Sequence, residues 1–569
     1  MDTTDVLVVG AGPTGLTLAC SLRAQGVDVR VVDRAEGPAT SSRANFLHAR
    51  GSEVLDRLGA LGDLPEDAIS AMTITVHAAG VPVSVVRFGD TGLRTAAPAL
   101  LLPQSRIERA LRERLAELGG GVEWSTGLTG LEQDEEGVTA TLDGGRTVRA
   151  RWAVGCDGAH STTRKLVGAA FPGAPVKDTW LLADVHMDWD LAPTGSYGWM
   201  HRDGILGALP MREEAGFGSG ADPEDGLDPE DGSADGPASG SAGGSADGSA
   251  DGSAGGPADG SADGSADGPA SGSAGGSGDG LVWRLMAYAP GMDERSRDED
   301  AVLAELRRLL PLRSGKPDAK VLDTVWTSVF RIHRRLVDDY RHGRVLLAGD
   351  AAHIHSPMGG QGMLTGIGDA ENLAWKLVLV LDGRARTALL DTYRGERRPL
   401  AEDVLRVTTA NSRLQLGEGP LVRFVREHVM LRLVDLPSVQ RWATRLASQL
   451  GVSYRRGPLG ARRRPLASRV PQPGDRVPDL PCLREDGSRT RLHPELGAHW
   501  VLLAADHDPA TTDVVRALLG ERVTTLTPTE EGLRDMLLIR PDAHLAWRGR
   551  PGDSPRAVLE GALHRGRSR

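Results

Sequence analysis

A chain of 569 residues is long enough for two or three domains, and its three cysteines, Cys20, Cys156 and Cys482, stand far apart with no CxxC pair, which argues against a disulfide framework and a thiolate metal site. The net charge of −11 is local: residues 215–280 hold eleven Asp and two Glu without a Lys or Arg, so the rest is near neutral and implies neither a nucleic-acid-binding patch nor an acidic scaffold. The N-terminus has no basic leader and no apolar run reaches about 18 residues, so no signal peptide or membrane span is expected, and a cytoplasmic location fits the free thiols.

In chain order, residues 5–9 read as an apolar strand, 10–15 as a glycine-rich turn, 16–25 as a helix and 29–33 as a second strand, which together make a βαβ unit. A helical pattern covers 49–58, and another at 105–118 places Ile107, Leu111, Leu115 and Leu118 on one face. Strand patterns alternate through 122–154, with a hairpin signal at Asp143-Gly144-Gly145. Short tryptophan-bearing strands in 175–212 and 281–330 read as one antiparallel sheet interrupted by the stretch 216–280. That stretch has almost no apolar residue larger than alanine. It cannot offset the roughly 1–2 kcal/mol per residue lost on ordering a backbone, and it is expected to be disordered, the expansion of a repetitive tract within a loop. Beyond it come a strand at 344–348, the pair Gly349-Asp350, a helix at 365–381 and long helical patterns across 389–450. An Arg- and Pro-rich linker at 455–473 leads to a smaller αβ unit, with strands near 500–504 and 536–540.

The first turn lies in VVGAGPTGLTLA, residues 8–19. Gly10 permits the tight turn, Gly12 lets a pyrophosphate approach the backbone, and Gly15 lets helix and strand pack closely. Pro13 and Thr14 belong to the same turn. Asp33 closes the second strand where it can accept a hydrogen bond from a ribose 2′-hydroxyl, with Arg34 beside it, so the nucleotide is FAD or NAD. A second segment, residues 345–377, decides for FAD. A long dinucleotide needs support remote in sequence from its ADP end: Asp350 offers a carboxylate to ribityl or pyrophosphate-side hydroxyls, and Gly360, Gln361, Gly362 and Met363 bring backbone N–H groups to a helix N-terminus, where they stabilise negative charge on a reduced flavin.

With these motifs the chain resembles the single-component FAD-dependent aromatic hydroxylases, the class A group typified by para-hydroxybenzoate hydroxylase, over roughly residues 3–410. The resemblance rests on the glycine turn with Asp33, on a "DG" segment at GCDGAHSTTRKLVG with Asp157, Gly158 and Arg164, and on the "GD" pair Gly349-Asp350. It implies flavin contacts from Arg43 and Gln104, Pro357 at the flavin's reactive edge, and shared FAD and NAD(P)H handling by the DG segment. One departure is Leu364, where many relatives carry asparagine.

Residues 460–569 look like the subset that hydroxylates polycyclic polyketides and carries a C-terminal thioredoxin-like domain. Here Asp506-His507-Asp508-Pro509 stands where a redox thioredoxin has CxxC, so the domain reads as structural. The expected class is α/β: a Rossmann-like FAD-binding domain of glutathione reductase type, an antiparallel-sheet substrate domain and the thioredoxin-like domain. The expected boundaries are 1–174 for the first FAD-binding part, with substrate-domain strands near 70–100; 175–330 for the sheet domain, interrupted at 216–280; 331–450 for the second FAD-binding part and long helices; 451–474 for the linker; and 475–569 for the last domain.

The resemblance implies tight non-covalent FAD, NADPH or NADH as a transient co-substrate bound without a domain of its own, and O2. It also implies a C4a-hydroperoxyflavin that hydroxylates a hydrophobic polycyclic aromatic molecule in a monomer or homodimer. Alternatives on the same scaffold are Baeyer–Villiger oxidation and inactivation of an antibiotic. A flavin halogenase lacks support, because no WxWxIP motif or catalytic lysine is apparent, and the non-enzyme rival is a flavin- or drug-sequestering protein. No catalytic side chain is assigned. His353 and His355 have no third ligand nearby, so no metal is expected. Met72, Trp199, Trp283 and Trp326 are candidates to line an apolar substrate cleft.

Overall fold

The computed structural model describes residues 2–39, 44–69, 73–78, 80–87, 94–212, 281–292, 298–356, 359–416, 419, 433, 436–457, 459–460, 471–530 and 532–564. Arg43, Met72, Pro357 and the stretch 216–280 lie outside them. Three large sheets and one two-stranded sheet organise the described residues.

The first sheet is built on β1 (Asp2–Val9), which lies parallel to β2 (Val29–Val32) on one side and to β10 (Thr147–Gly155) on the other. Beyond these it adds β7 (Val122–Glu123) next to β2, β17 (Val345–Leu347) parallel to β10, and β16 (Arg341–His342) antiparallel at the edge. The hairpin of β8 (Leu128–Gln133) and β9 (Val138–Leu142) is attached to β10. Val6, Leu7 and Val8 are buried in succession because both faces of a parallel sheet are covered, which is why β1 reads as a continuous apolar run. Its helical cover comprises α1 (Pro13–Arg23), α2 (Ala49–Leu58), α3 (Gln104–Glu117), the short α4 (Thr162–Leu166), α6 (Gly362–Leu381) and α7 (Asp391–Leu416), while α5 (Glu299–Ser314) belongs to the second layer. In α3, Ile107, Leu111 and Leu115 form the buried stripe.

The second sheet comprises β4 (Thr73–Ala78), β5 (Val81–Arg87), β11 (Gly173–Asp188), β12 (Ser196–His201), β13 (Gly204–Arg212), β14 (Leu281–Tyr288), β15 (Lys320–Leu336) and β18 (His353–Ile354). Their spatial order is β18-β15-β11-β14-β13-β12-β4-β5. Arg212 and Leu281 are register partners, so the ends flanking residues 213–280 lie side by side as antiparallel neighbours. Strand alternation separates two faces. Leu181, Ala183, Val185, Trp199, Leu206, Trp283 and Leu285 pack on α5. Trp180, Asp184, Arg284, Trp326 and Phe330 alternate with them on the opposite face, as the registers Trp180↔Phe330 and Asp184↔Trp326 require. Trp199 and Trp283, expected as cleft residues, are therefore core residues of the α5 layer. Trp326 is on the other face, which Arg284 shares.

Two-stranded pairing of β3 (Phe46–Leu47) with β6 (Leu100–Leu101) joins the loop after β2 to the start of α3. The third sheet is made of β19 (Pro481–Leu483), β20 (Arg489–Arg491), β21 (Trp500–Leu503), β22 (Val523–Pro528), β23 (Met536–Ile539) and β24 (Leu545–Gly549), in the order β20-β19-β22-β21-β23-β24. Helix α8 (Pro437–Ala447) precedes it, α9 (Pro509–Leu519) links the parallel pair β21–β22, and α10 (Arg556–His564) follows β24, a thioredoxin-like arrangement. Asp508 caps α9, accepting from the Ala510 amide at 3.2 Å and the Thr511 hydroxyl at 2.7 Å. Among the described residues no helix is long and apolar enough to cross a membrane.

Candidate functional site

The loop after β1 shows what each of its glycines does. Gly10 has φ +104°, and a Cβ there would lie 2.4 Å from the Cys156 carbonyl oxygen. At Gly15 a Cβ would lie 1.9 Å from the Gly10 carbonyl oxygen. The chain itself forbids both. Gly12 differs, for its φ is −73° and, among the described residues, a Cβ there meets nothing within 4 Å. The open space above Gly12 faces the first-turn amides of α1, where the helix dipole favours negative charge. Pro13 opens that helix at a position that needs no N–H donor. Asp33 braces the loop from the end of β2, accepting from the Ala11 amide at 2.6 Å and the Ala35 amide at 2.9 Å. Arg34 is exposed beside it.

The other two motifs converge on this loop. The Cys156–Asp157 backbone packs directly on Gly10. The Asp157 carboxylate is engaged locally, accepting from the Ser161 hydroxyl at 2.6 Å and from the Thr163 amide at 2.8 Å, and so folds the entry to α4. Arg164 donates to the Ala351 carbonyl at 3.1 Å and stacks 3.9 Å over Phe171, tying the DG segment to the GD turn. Gly349, at φ +61°, and Gly366 both face Thr14: Cβ atoms there would lie 2.6 and 2.1 Å from its hydroxyl oxygen. Residues more than 300 apart in sequence thus meet at the N-terminus of α1. Asp350 is exposed between buried Gly349 and Ala351.

The loop before α6 packs against the other side. A Cβ at Gly360, φ +62°, would lie 2.9 Å from the Phe46 Cβ. Gln361 caps α6, its carbonyl accepting from the Thr365 amide at 2.9 Å and the Thr365 hydroxyl at 2.8 Å, and Gly362 and Met363 form the first turn. Leu364 is buried, its Cδ1 3.5 Å from where a Cβ on Gly51 of α2 would stand. The Gln104 amide donates to the Ala44 carbonyl at 2.9 Å, and its side chain donates to Glu108 at 2.7 Å.

His48 closes this loop, its Nε2–H donating to the Gly359 carbonyl at 2.9 Å. Burial pushes its pKa down to about 4, against the opposing pull of that carbonyl. The unfolded state binds a proton below the ordinary histidine value of 6.5 while the folded state does not. The stability His48 contributes is therefore complete above pH 6.5 and lost as pH falls toward 4. We expect thermal melts between pH 7.5 and 4.5 to show a steeper acid loss in the wild type than in His48→Gln; equal slopes would overturn the assignment.

Several buried polar residues of the site carry no local sequence signal. Asp369 on α6 accepts from the Gly349 amide at 3.1 Å, His353 Nε2 at 2.7 Å and Arg397 Nε at 2.6 Å. Burial opposes its ionised form, yet Arg397 and His353 hold its carboxyl below the ordinary value. On the second sheet, Arg284 pairs bidentately with Asp184 at 2.7 and 2.6 Å and donates to the Asn45 side-chain oxygen at 2.5 Å. Asn45 lies two residues after Arg43, so this cluster joins the glycine-loop domain to the sheet face. For Arg284 one signal did exist, a charged residue at an interior strand position. Among the described residues no group of His, Cys, Asp and Glu is placed to hold a metal ion.

Comparison with known proteins agrees with this geometry. Residues 3–219 and 265–408 match the FAD binding domain family, and residues 470–567 match the aromatic-ring hydroxylase C-terminal family. The chain is 33% identical over 560 residues to the 12-dehydrotetracycline 5-monooxygenase/anhydrotetracycline 6-monooxygenase of Streptomyces rimosus subsp. rimosus, covering 96% of this chain and 95% of that protein. It is also 33% identical over 553 residues to the rifampicin monooxygenase of Streptomyces venezuelae, covering 96% and 95%. The solved structure of OxyS anhydrotetracycline hydroxylase from Streptomyces rimosus superposes with a TM-score of 0.71 at 30% identity, covering 99% of each chain.

Proposed function

The chain belongs to the FAD-dependent aromatic-ring hydroxylases, and from that premise we propose that it hydroxylates a polycyclic aromatic natural product of polyketide type, using NAD(P)H and O2. The observation that carries the reading is the meeting of Gly10, Thr14, Asp157, Gly349 and Gly366 at one helix N-terminus. The opening over Gly12 fits a pyrophosphate, which a side chain there would displace. Asp33 holds the adenosine ribose, with Arg34 at the rim, and the Cys156–Asp157 backbone backs the turn. Asp350 takes ribityl hydroxyls, and the amides of Gly360, Gln361, Gly362 and Met363 face the pyrimidine edge, where the α6 dipole stabilises negative charge. Arg43, Gln104 and Pro357 complete the set.

Bound FAD, once reduced by the nicotinamide, supplies the activated oxygen that the side chains cannot. The protein's own work is positioning and exclusion of water. Buried Trp180, with partly buried Met286, Tyr288 and Phe330 packed against it, makes an apolar cluster on the face of the second sheet that carries Arg284, a face suited to a flat apolar ring system. Arg284, braced by Asp184 and Asn45, places a fixed cation on that face and would orient an oxygenated ring.

A test is to purify the protein with its FAD, add NADPH or NADH and O2, and offer anhydrotetracycline and rifampicin in separate arms. We expect a tetracyclic phenol to accelerate nicotinamide oxidation at least roughly ten-fold and to gain one oxygen atom by mass. Oxidation of rifampicin alone would favour antibiotic inactivation, the reading supported by the rifampicin monooxygenase relative. FAD retention with no nicotinamide consumption across these two ligands and a wider panel of polycyclic phenols would sink the polyketide-type reading of the substrate.

A further inference from the structure

The C-terminal domain does not merely abut the rest of the chain. Its β23–β24 hairpin turn, residues 540–544, is buried in the layer formed by α2, α6 and α7: Arg540, Asp542, Ala543 and His544 are at most 2% exposed. Ala543 sits at the turn with φ +58°, a left-handed conformation that a non-glycine residue keeps only where its surroundings impose it. Arg540 reaches α7 bidentately, donating to Glu396 at 2.9 and 3.1 Å, and lies between two rings, 4.7 Å over Trp375 and 5.1 Å over Tyr454. Asp542 accepts from Trp375 Nε1 at 3.3 Å, and its carbonyl accepts from Arg50 of α2 at 2.7 Å. Glu396 also receives Lys376 Nζ at 2.9 Å and Asn372 at 2.7 Å, both on α6.

This cluster continues toward the cofactor turn. Tyr454, whose ring lies 4.2 Å from His544, accepts from Arg397 at 2.9 Å. Arg397 in turn donates to the Thr365 carbonyl at 2.8 Å and to Asp369, which holds the Gly349 amide at 3.1 Å. Every link is buried. Charges buried this way hold fixed geometry because an unpaired partner is so costly.

We propose that the C-terminal domain sets the position of the cofactor-binding turn, with Arg540 and Asp542 as positioning residues that act through α6, α7 and the Tyr454–Arg397–Asp369 chain on Gly349-Asp350. This rests on the reading of that turn as part of the FAD site. Although it carries no CxxC, the domain thereby holds the second half of the cofactor site against the first.

The test uses the full-length holoprotein, with FAD affinity read by flavin fluorescence and the visible flavin spectrum read at saturation. Tyr454→Phe, which removes one hydroxyl, and Arg540→Met are each compared with Arg540→Lys and with Leu526→Ala, a core truncation in the same domain on β22, which pairs with neither strand of the hairpin, at matched losses of Tm. We expect Arg540→Met to weaken FAD binding roughly ten-fold and Tyr454→Phe by a smaller factor, both with altered flavin spectra, while Arg540→Lys recovers part of the loss and Leu526→Ala leaves affinity and spectrum unchanged. Equal FAD loss in Leu526→Ala, or wild-type affinity in Arg540→Met, overturns the proposal. A wild-type protein that binds no FAD would instead strike the cofactor reading itself.

Discussion

Gly12→Val is expected to leave the apoprotein folded with an unchanged Tm while FAD binding falls by at least two orders of magnitude. The backbone at residue 12 has an ordinary negative φ, and among the described residues a Cβ would meet nothing within 4 Å. Bulk added there takes only the space above the first-turn amides of α1. Gly10→Ala gives the contrasting result. Its φ of +104° and the contact of 2.4 Å with the Cys156 carbonyl oxygen make the substitution a folding defect, so stability and FAD are lost together. Absorbance of bound flavin, FAD titration of apoprotein and thermal melts separate the two. A Gly12→Val protein that retains FAD would show that no phosphate lies over that turn.

Asp184→Leu is the second large effect. Among the described residues it leaves the buried Arg284 guanidinium with the Asn45 side-chain oxygen and a distant ring, and stranding a buried charge costs about 3–5 kcal/mol. Arg284 lies 5.6 Å over Trp326, which does not replace a bidentate carboxylate. The expected outcome is a marked fall in Tm in the single variant and its substantial recovery in Asp184→Leu/Arg284→Met, since an ion pair replaced whole by apolar side chains is often tolerated. Ligand-stimulated nicotinamide oxidation should not recover with stability, because the face then lacks the deep cation beside Asn45. Recovery of both would make the pair purely architectural.

The geometry of the glycine turn proposed to bind the nucleotide was legible because its requirements are local. Gly10, Gly12 and Gly15 at fixed spacing, an apolar strand before and a helix after, and an acid closing the next strand follow from turn sterics and helix electrostatics alone. The assignment of Trp199 and Trp283 to a cleft failed because sidedness is not local. Composition marks an aromatic strand residue as buried, yet only the register with β13, β14 and β4 says which side of the sheet it occupies, and these two face α5. Asp157 illustrates a third case, since its motif position was visible while the bonds to Ser161 and Thr163 that occupy its carboxylate were not.

The glycine turn, the DG and GD segments and the alternation of strand and helix determined by themselves that this chain folds around FAD, because each motif is a short-range solution to a backbone problem. Only the tertiary structure decided that Thr14 meets Gly349 and Gly366, that Arg284 finds Asp184 and Asn45, and that Arg540 and Asp542 of the last domain are buried against α6 and α7. Those pairings join residues roughly 100 to more than 300 positions apart, and their energies come from desolvated charges whose partners no local pattern specifies.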